Sequence, residues 1–277
     1  MPPIHAPPKL SLLSAQLLAL TFSSTYVGSI FLVGFIQPGV RDQPHVIRAR
    51  LGAVTVASVV SCATVHYLVN PHGNFWDART LGALGFTLPN NALSYLQTPL
   101  LFLGPLYAMY LHNELLSGPA RFVAKVQSWI GFRNFVWGPI TEEIVFRSCV
   151  LAALSLAGVA RWKMVAFAPL LFGLAHVHHG YAEYKRCGRT KAALKRAVLM
   201  TLFQTAYTSL FGAHASFLFL RTGSILPPLS AHIFCNTMGT PELGAEVRSR
   251  PDRKLAIYAA YLMGIGLFAY TIVPWTS

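Results

Sequence analysis

Apolar residues gather along this chain in eight blocks, at 12–36, 51–69, 93–112, 134–157, 163–179, 197–220, 224–240 and 255–273, separated by stretches where charged residues, Pro and Gly concentrate. A helix advances about 1.5 Å per residue, so about 20 apolar residues cross a hydrocarbon core of about 30 Å. The pattern predicts an all-α protein, a polytopic transmembrane helical bundle of about eight spans enclosing a polar cavity. The fifth and seventh blocks are short and are expected either to tilt little or to end inside that cavity. The first block is read as a retained span, because the flank MPPIHAPPKL has one basic residue and no cleavage motif. No repeat or long linker divides the chain, so residues 1–277 are expected to form a single domain.

Composition agrees with this pattern: 54% of the residues are hydrophobic, 11% are charged, and the mean hydropathy is +0.49. Charge adds an orientation. With the N-terminus outside, sixteen of the 22 Lys and Arg fall in loops on one side, in groups around 41–50, 121–133, 185–196 and 248–254, and five on the other. Basic loops tend to stay cytoplasmic, so both termini are expected to be lumenal or exoplasmic. The net charge of +13 is then assigned to topology and to the headgroups of membrane lipids, with no nucleic acid as partner. The basic loop 185–196 is read as solvated. Cys62, Cys149, Cys187 and Cys235 form no C-x-x-C pair, which indicates neither a disulfide framework nor a thiolate metal site.

Apart from Lys163 at the edge of the fifth block, three formally charged residues fall inside the spans: Glu142, Glu143 and Arg147, in the run GPITEEIVFRSCVLAAL. A charge at the centre of a spanning helix costs roughly 2.5–3.5 kcal/mol on insertion scales, which makes such groups functional candidates. Residues four apart share a helix face, so Glu143 and Arg147 can pair, leaving Glu142 on another face and available to other helices. A buried ion network that only fixes packing is the alternative reading. Pro139 suits a first helical turn, so the helix is expected to begin near Gly138, with Phe135 and Trp137 at the interface and Glu142 close to a helix N-terminus.

Histidines in two other blocks lie at comparable depth. FGLAHVHHG places Phe172 and His176 four apart and His179 three further on, one expected helical stripe, and ILPPLSAHIFCNTMG places His232 and Asn236 four apart. By helical rise, Glu142 and His232 lie about 12 Å and His176 about 5 Å from the cytosolic end of their spans. His66, His112 and His214 are read as packing groups. A carboxylate with a neighbouring imidazole can deprotonate water, and an imidazole N–H with an amide N–H can hold an oxyanion, which together describes amide hydrolysis by activated water.

EEIVFR, FGLAH and HIFCN, in this order and each in an apolar block, fit the patterns E-E-x-x-x-R, F-x-x-x-H and H-x-x-x-N. The chain thereby resembles the type II CAAX prenyl endopeptidases over roughly residues 138–240, within a catalytic core of about 134–240. The resemblance implies a multi-pass membrane protease of the endoplasmic reticulum, with its active site facing the cytosol. It would cleave after the prenylated cysteine of CAAX proteins, Ras-like GTPases and prenylated peptides among them, and release the C-terminal tripeptide. It further implies that Glu142 and His176 activate water, that His232 and Asn236 form the oxyanion hole, that Glu143, Arg147 and Phe172 support the site, and that no metal or other cofactor takes part. Two alternatives remain open. One is a zinc protease using His176, His179, His232 and a glutamate, and the other is a transporter or binder of prenylated ligands that does not cleave them.

Overall fold

The computed structural model describes residues 9–37, 39–175 and 177–277. Every apolar block is helical over most of its length, and no strand occurs among the described residues. The principal helices are α1 (Leu12–Ile36), α2 (Pro44–Val69), α3 (Leu103–Leu111), α4 (129–156), α5 (Arg161–Leu174), α6 (Lys191–Thr222), α7 (Leu226–Met238) and α8 (Lys254–Thr271). Local chemistry sets their ends. The hydroxyl of Ser11 accepts from the Ser14 N–H at 3.0 Å ahead of α1, and that of Thr190 accepts from Ala193 at 3.1 Å ahead of α6. Pro44 opens α2, where its missing N–H costs nothing, and α6 ends on Gly223 at φ 66°.

Among the described residues three helices are long and apolar enough to cross a membrane by themselves: Leu12–Ile36, Pro44–Val69 and Pro251–Thr271. The remaining blocks depart from simple spans for identifiable reasons. The third, expected to be continuous, breaks into Ala92–Leu96, Gln97–Leu101 and α3, because Pro99 and Pro105 each remove a backbone donor and Phe102 leaves helical geometry between them. The fifth and seventh yield α5 and α7, of 14 and 13 residues, about 20 Å each and short of the hydrocarbon core. In contrast, α6 has 32 residues, so its Lys191 end extends beyond a hydrocarbon core.

The helix α4 is the centre of the bundle. Residues 145–154 on it are all buried, packed against Phe22 and Tyr26 of α1, Val54 and Val65 of α2, and Phe172 of α5. Large apolar side chains instead point outward on the peripheral helices, Leu17, Phe35, Leu210 and Leu262 among them. Buried polar groups and an apolar exterior are the arrangement that a lipid solvent selects. Loops sort to two ends. Lys9 bonds the Val69 carbonyl and Arg221 the Val273 carbonyl at one end, whereas Arg133 meets Asp42 and His112 meets Ser249 at the other.

The histidines read as packing groups have ordinary partners: His66 on Thr80 at 2.9 Å and His214 on Thr98 at 3.0 Å, besides His112 on Ser249. The basic segment 185–196 proves to be a helical hairpin formed by His178–Arg186 and the start of α6. Glu183 fastens it, accepting from Arg186 at 2.7 Å and from Arg196 at 3.0 Å. Arg186, and then the Cys187 thiol, hold the Glu183 carboxyl down to about 2.

Close packing of α3 on α8 depends on Gly104, where a Cβ would overlap the ring of Tyr261, itself held by its hydroxyl bond to Glu246 at 2.9 Å. Gly104→Ala is therefore expected to destabilise the protein by about 1–3 kcal/mol through overpacking. Gly28→Ala, where a Cβ meets nothing within 4 Å, serves as the matched control. Thermal unfolding in detergent checks the pair, and equal midpoints for the two variants would contradict this account of the α3–α8 contact.

Candidate active site

The site is built on α4, which differs from the expected helix. It begins at Trp129 instead of near Gly138, and it contains two π-helical segments, Arg133–Trp137 and Ile144–Cys149. Glu142 is consequently mid-helix, and the positive end of a helix dipole is not beside it. The reason lies at Pro139. The wider turn carries the Gly138 N–H to the Arg133 carbonyl, five residues back, so the chain continues smoothly into the proline. The next donor in that pattern would be the N–H of residue 139, and proline has none. The Asn134 carbonyl is thus left without its helical partner, and the Asn236 side chain supplies one, with Nδ2 at 2.9 Å.

One helical turn from Asn236, His232 enters the middle of α4. Its Nδ1 lies 2.7 Å from Glu143 Oε1, and its Nε2 faces Glu142 Oε2 at 3.7 Å. Because an ionised carboxylate only accepts, Nδ1 carries a hydrogen and donates it to Glu143. The predicted pair on α4 is present: Arg147 Nε is 3.1 Å from Glu143 Oε2, with the two side chains 1% and 0% exposed. None of the three guanidinium nitrogens makes a hydrogen bond among the described residues, nor does Glu143 Oε2, so the pair is held by charge alone. Aromatic faces surround the cation instead, Phe172 at 4.3 Å from its carbon and Phe211 at 5.7 Å. Both rings also contact the His232 ring.

The two glutamates thus differ in kind. Glu143 is sealed and shared between Arg147 and His232, whereas the Glu142 side chain is 25% exposed and free to meet a substrate or a water. Behind them, Thr141 donates its hydroxyl to the carbonyls of Trp137 and Gly138, and so accepts from the Tyr26 hydroxyl at 2.9 Å. A groove of about 310 Å³, lined by Leu51, Gly52, Thr55, Trp129, Phe132 and Trp137 and bordered by Arg48, opens beside the start of α4.

The family profile described as Type II CAAX prenyl endopeptidase Rce1-like matches residues 124–238, which run from the approach to α4 through α7. Curated relatives match far more of the chain. The Probable CAAX prenyl protease 2 of Schizosaccharomyces pombe is 32% identical over 92% of this chain and 91% of its own length. The CAAX prenyl protease 2 of Homo sapiens is 34% identical over 93% of this chain and 80% of its own. The chain belongs to the type II CAAX prenyl endopeptidase family. A third relative, the CAAX prenyl protease 2 of Arabidopsis thaliana, is 40% identical over 61% of this chain and 51% of its own length. No solved structure matches the chain.

Of the family-pattern residues, the structure gathers Glu142, Glu143, Arg147, Phe172, His232 and Asn236 around one segment of α4. His176 lies outside the described residues. The stripe expected through Phe172, His176 and His179 therefore falls outside the described side chains; α5 ends at Leu174 and a separate helix runs from His178 to Arg186. The break lets two glycines meet α6 closely: a Cβ on Gly173 would collide with Ser209, and one on Gly180 with Thr201. Sequence reasoning passed over Tyr26, Phe211 and the Asn134 carbonyl. Only the last had a local signal, a proline five residues downstream.

Loss of the sealed carboxylate should be far more harmful to the fold than loss of the accessible one. Removing one member of a buried ion pair costs about 3–5 kcal/mol, so Glu143→Ala is expected to destabilise by that order, while Glu142→Gln leaves the unfolding midpoint nearly unchanged. Detergent-phase unfolding of the two variants beside the parent checks this. A Glu142→Gln loss as large as that of Glu143→Ala would contradict the division between them.

Proposed function

We propose that this chain is a membrane endopeptidase that hydrolyses the peptide bond after the prenylated cysteine of CAAX proteins and releases their C-terminal tripeptide. The observation that carries the mechanism is the approach of His232 Nε2 to the accessible Glu142, on a scaffold that Glu143 and Arg147 hold from behind. Glu142, with His176, takes a proton from water as the oxygen attacks the scissile carbonyl carbon. Negative charge then moves to the carbonyl oxygen, where His232 and Asn236 act as donors. With Nδ1–H on Glu143, His232 donates from Nε2 when the ring carries both protons, and the Glu142 and Glu143 carboxylates on either side match that charge. Asn236 uses one amide hydrogen on Asn134 and keeps a second for the oxyanion. As the intermediate collapses, the carbon–nitrogen bond breaks and the proton held by Glu142 passes to the departing amine.

This reading includes the eight-span bundle with a polar cavity open toward the cytosol, the endoplasmic reticulum as location, and lumenal termini, supported by the sorting of basic loops to one end. The aromatic groove beside α4 offers an apolar surface to the lipid tail of a substrate, Ras-like GTPases being the expected class.

Incubation of the reconstituted protein with a farnesylated peptide, followed by mass spectrometry of the released tripeptide, tests the assignment. Glu142→Ala and His176→Ala are expected to abolish release, whereas His232→Ala and Asn236→Ala lower it by about 10²–10³-fold, the usual effect of losing an oxyanion donor. Rigorous chelation is expected to leave the rate unchanged. Loss of activity on chelation, restored by zinc, would replace this mechanism with a metalloprotease, and binding without any released tripeptide would replace it with a carrier.

A further inference from the structure

Near the cytoplasmic end assigned to the bundle, three arginines crowd a single carboxylate. Arg133 at the start of α4 donates Nη1 to Asp42 Oδ1 at 2.9 Å and to the Arg41 carbonyl at 3.4 Å, and Nε to Asn134 Oδ1 at 2.9 Å. Its Nη2 has no hydrogen-bond partner among the described residues. Arg50, one turn and a half into α2, packs by Nη2 beside Gly34 of α1, and its buried Nε has no hydrogen-bond partner among the described residues. Burial, and then the nearby Arg133 guanidinium, hold the Arg41 side chain below its ordinary value. The cluster therefore carries two cations more than anions.

Its place relative to the site is informative. Arg133 is the residue immediately before Asn134, whose carbonyl holds Asn236, and Asn236 is one turn from His232. The nine residues from Arg133 to Glu142 cover about 14 Å of helix, and because both side chains lean toward the helix N-terminus that separation is kept. Three extended residues span about 10–11 Å, comparable with that separation. A peptide cut three residues from its end also carries one obligatory anion, its terminal carboxylate.

We propose that Arg50 and Arg133, with Arg41 beside them, form a carboxylate-binding subsite that holds the free C-terminus of the departing tripeptide. It sets the cleavage position by measuring from that end. The assignment rests on the tripeptide release proposed above. A charge-assisted bond from guanidinium to carboxylate is directional and is lost when the carboxylate becomes an amide.

The test compares two farnesylated peptides, identical except that one ends in a free acid and the other in an amide, in proteoliposomes of neutral phosphatidylcholine. The parent enzyme is expected to cleave the acid with a kcat/KM about 10–100-fold above that of the amide. Arg50→Gln and Arg133→Gln, made separately, are expected to bring the acid-to-amide ratio toward one. The ratio is internal to each preparation, so a loss of folded enzyme cancels. Equal rates on the two peptides by the parent, or an unchanged ratio in both variants, overturn the proposal alone. An unchanged ratio together with a lost response to added phosphatidylinositol would assign the arginines to lipid headgroups. Release from neither peptide would instead overturn the endopeptidase reading on which the subsite depends.

Discussion

Arg147 and Glu143 have almost no contact with solvent, and at the depth of a membrane helix each would be prohibitive alone. Their mutual attraction, the hydrogen bond from His232, and the faces of Phe172 and Phe211 make the arrangement tolerable, and that requirement fixes the neighbours. α7 must bring His232 to α4, and α5 and α6 must each bring an aromatic ring to the same point. The packing of four helices is thereby specified by one buried cation, and the accessible Glu142 takes its position from a framework that the ion pair defines.

The backbone of α4 makes a second contribution. A proline within a helix ordinarily kinks it, yet two π-helical segments carry the chain past Pro139 and through the Glu143–Arg147 turn. Such segments are frequent at functional sites, since the widened turn redirects side chains and releases backbone groups for outside partners. Here the released group is the Asn134 carbonyl, and its capture by Asn236 ties α7 to α4 at the point from which the His232–Asn236 stripe runs to the glutamates. The same amide is the proposed oxyanion donor, which would give one residue both the lock between the helices and a part in the chemistry.

Much of this was legible in the sequence. The apolar blocks became helical over most of their length, though the third and fifth are broken, the four-residue spacing of Glu143 and Arg147 became an ion pair, and the histidines read as packing groups found hydroxyl partners. Three motifs in order were enough to indicate a family. The failures have a common origin. Pro139 was expected to open a helix, because nothing nearby in sequence announces that i+5 bonding will accommodate it. The break after Leu174 was missed because the glycine contacts with α6 that accompany it lie 20–40 residues onward. The basic segment 185–196 was read as a loop because Glu183, which binds it, lies outside the run of cations.

By itself the sequence determined that the protein belongs in a bilayer, which residues carry charge inside it, and which family it joins, because apolar length, charge placement and short motifs are local properties of the chain. Only the tertiary structure decided that His232 bridges toward both glutamates, that Arg147 is enclosed by rings from two other helices, and that Asn236 completes a carbonyl orphaned by a proline. Those outcomes depend on which helix faces meet and at what height, a matter of packing between residues 25 to 102 positions apart that no spacing along one helix encodes.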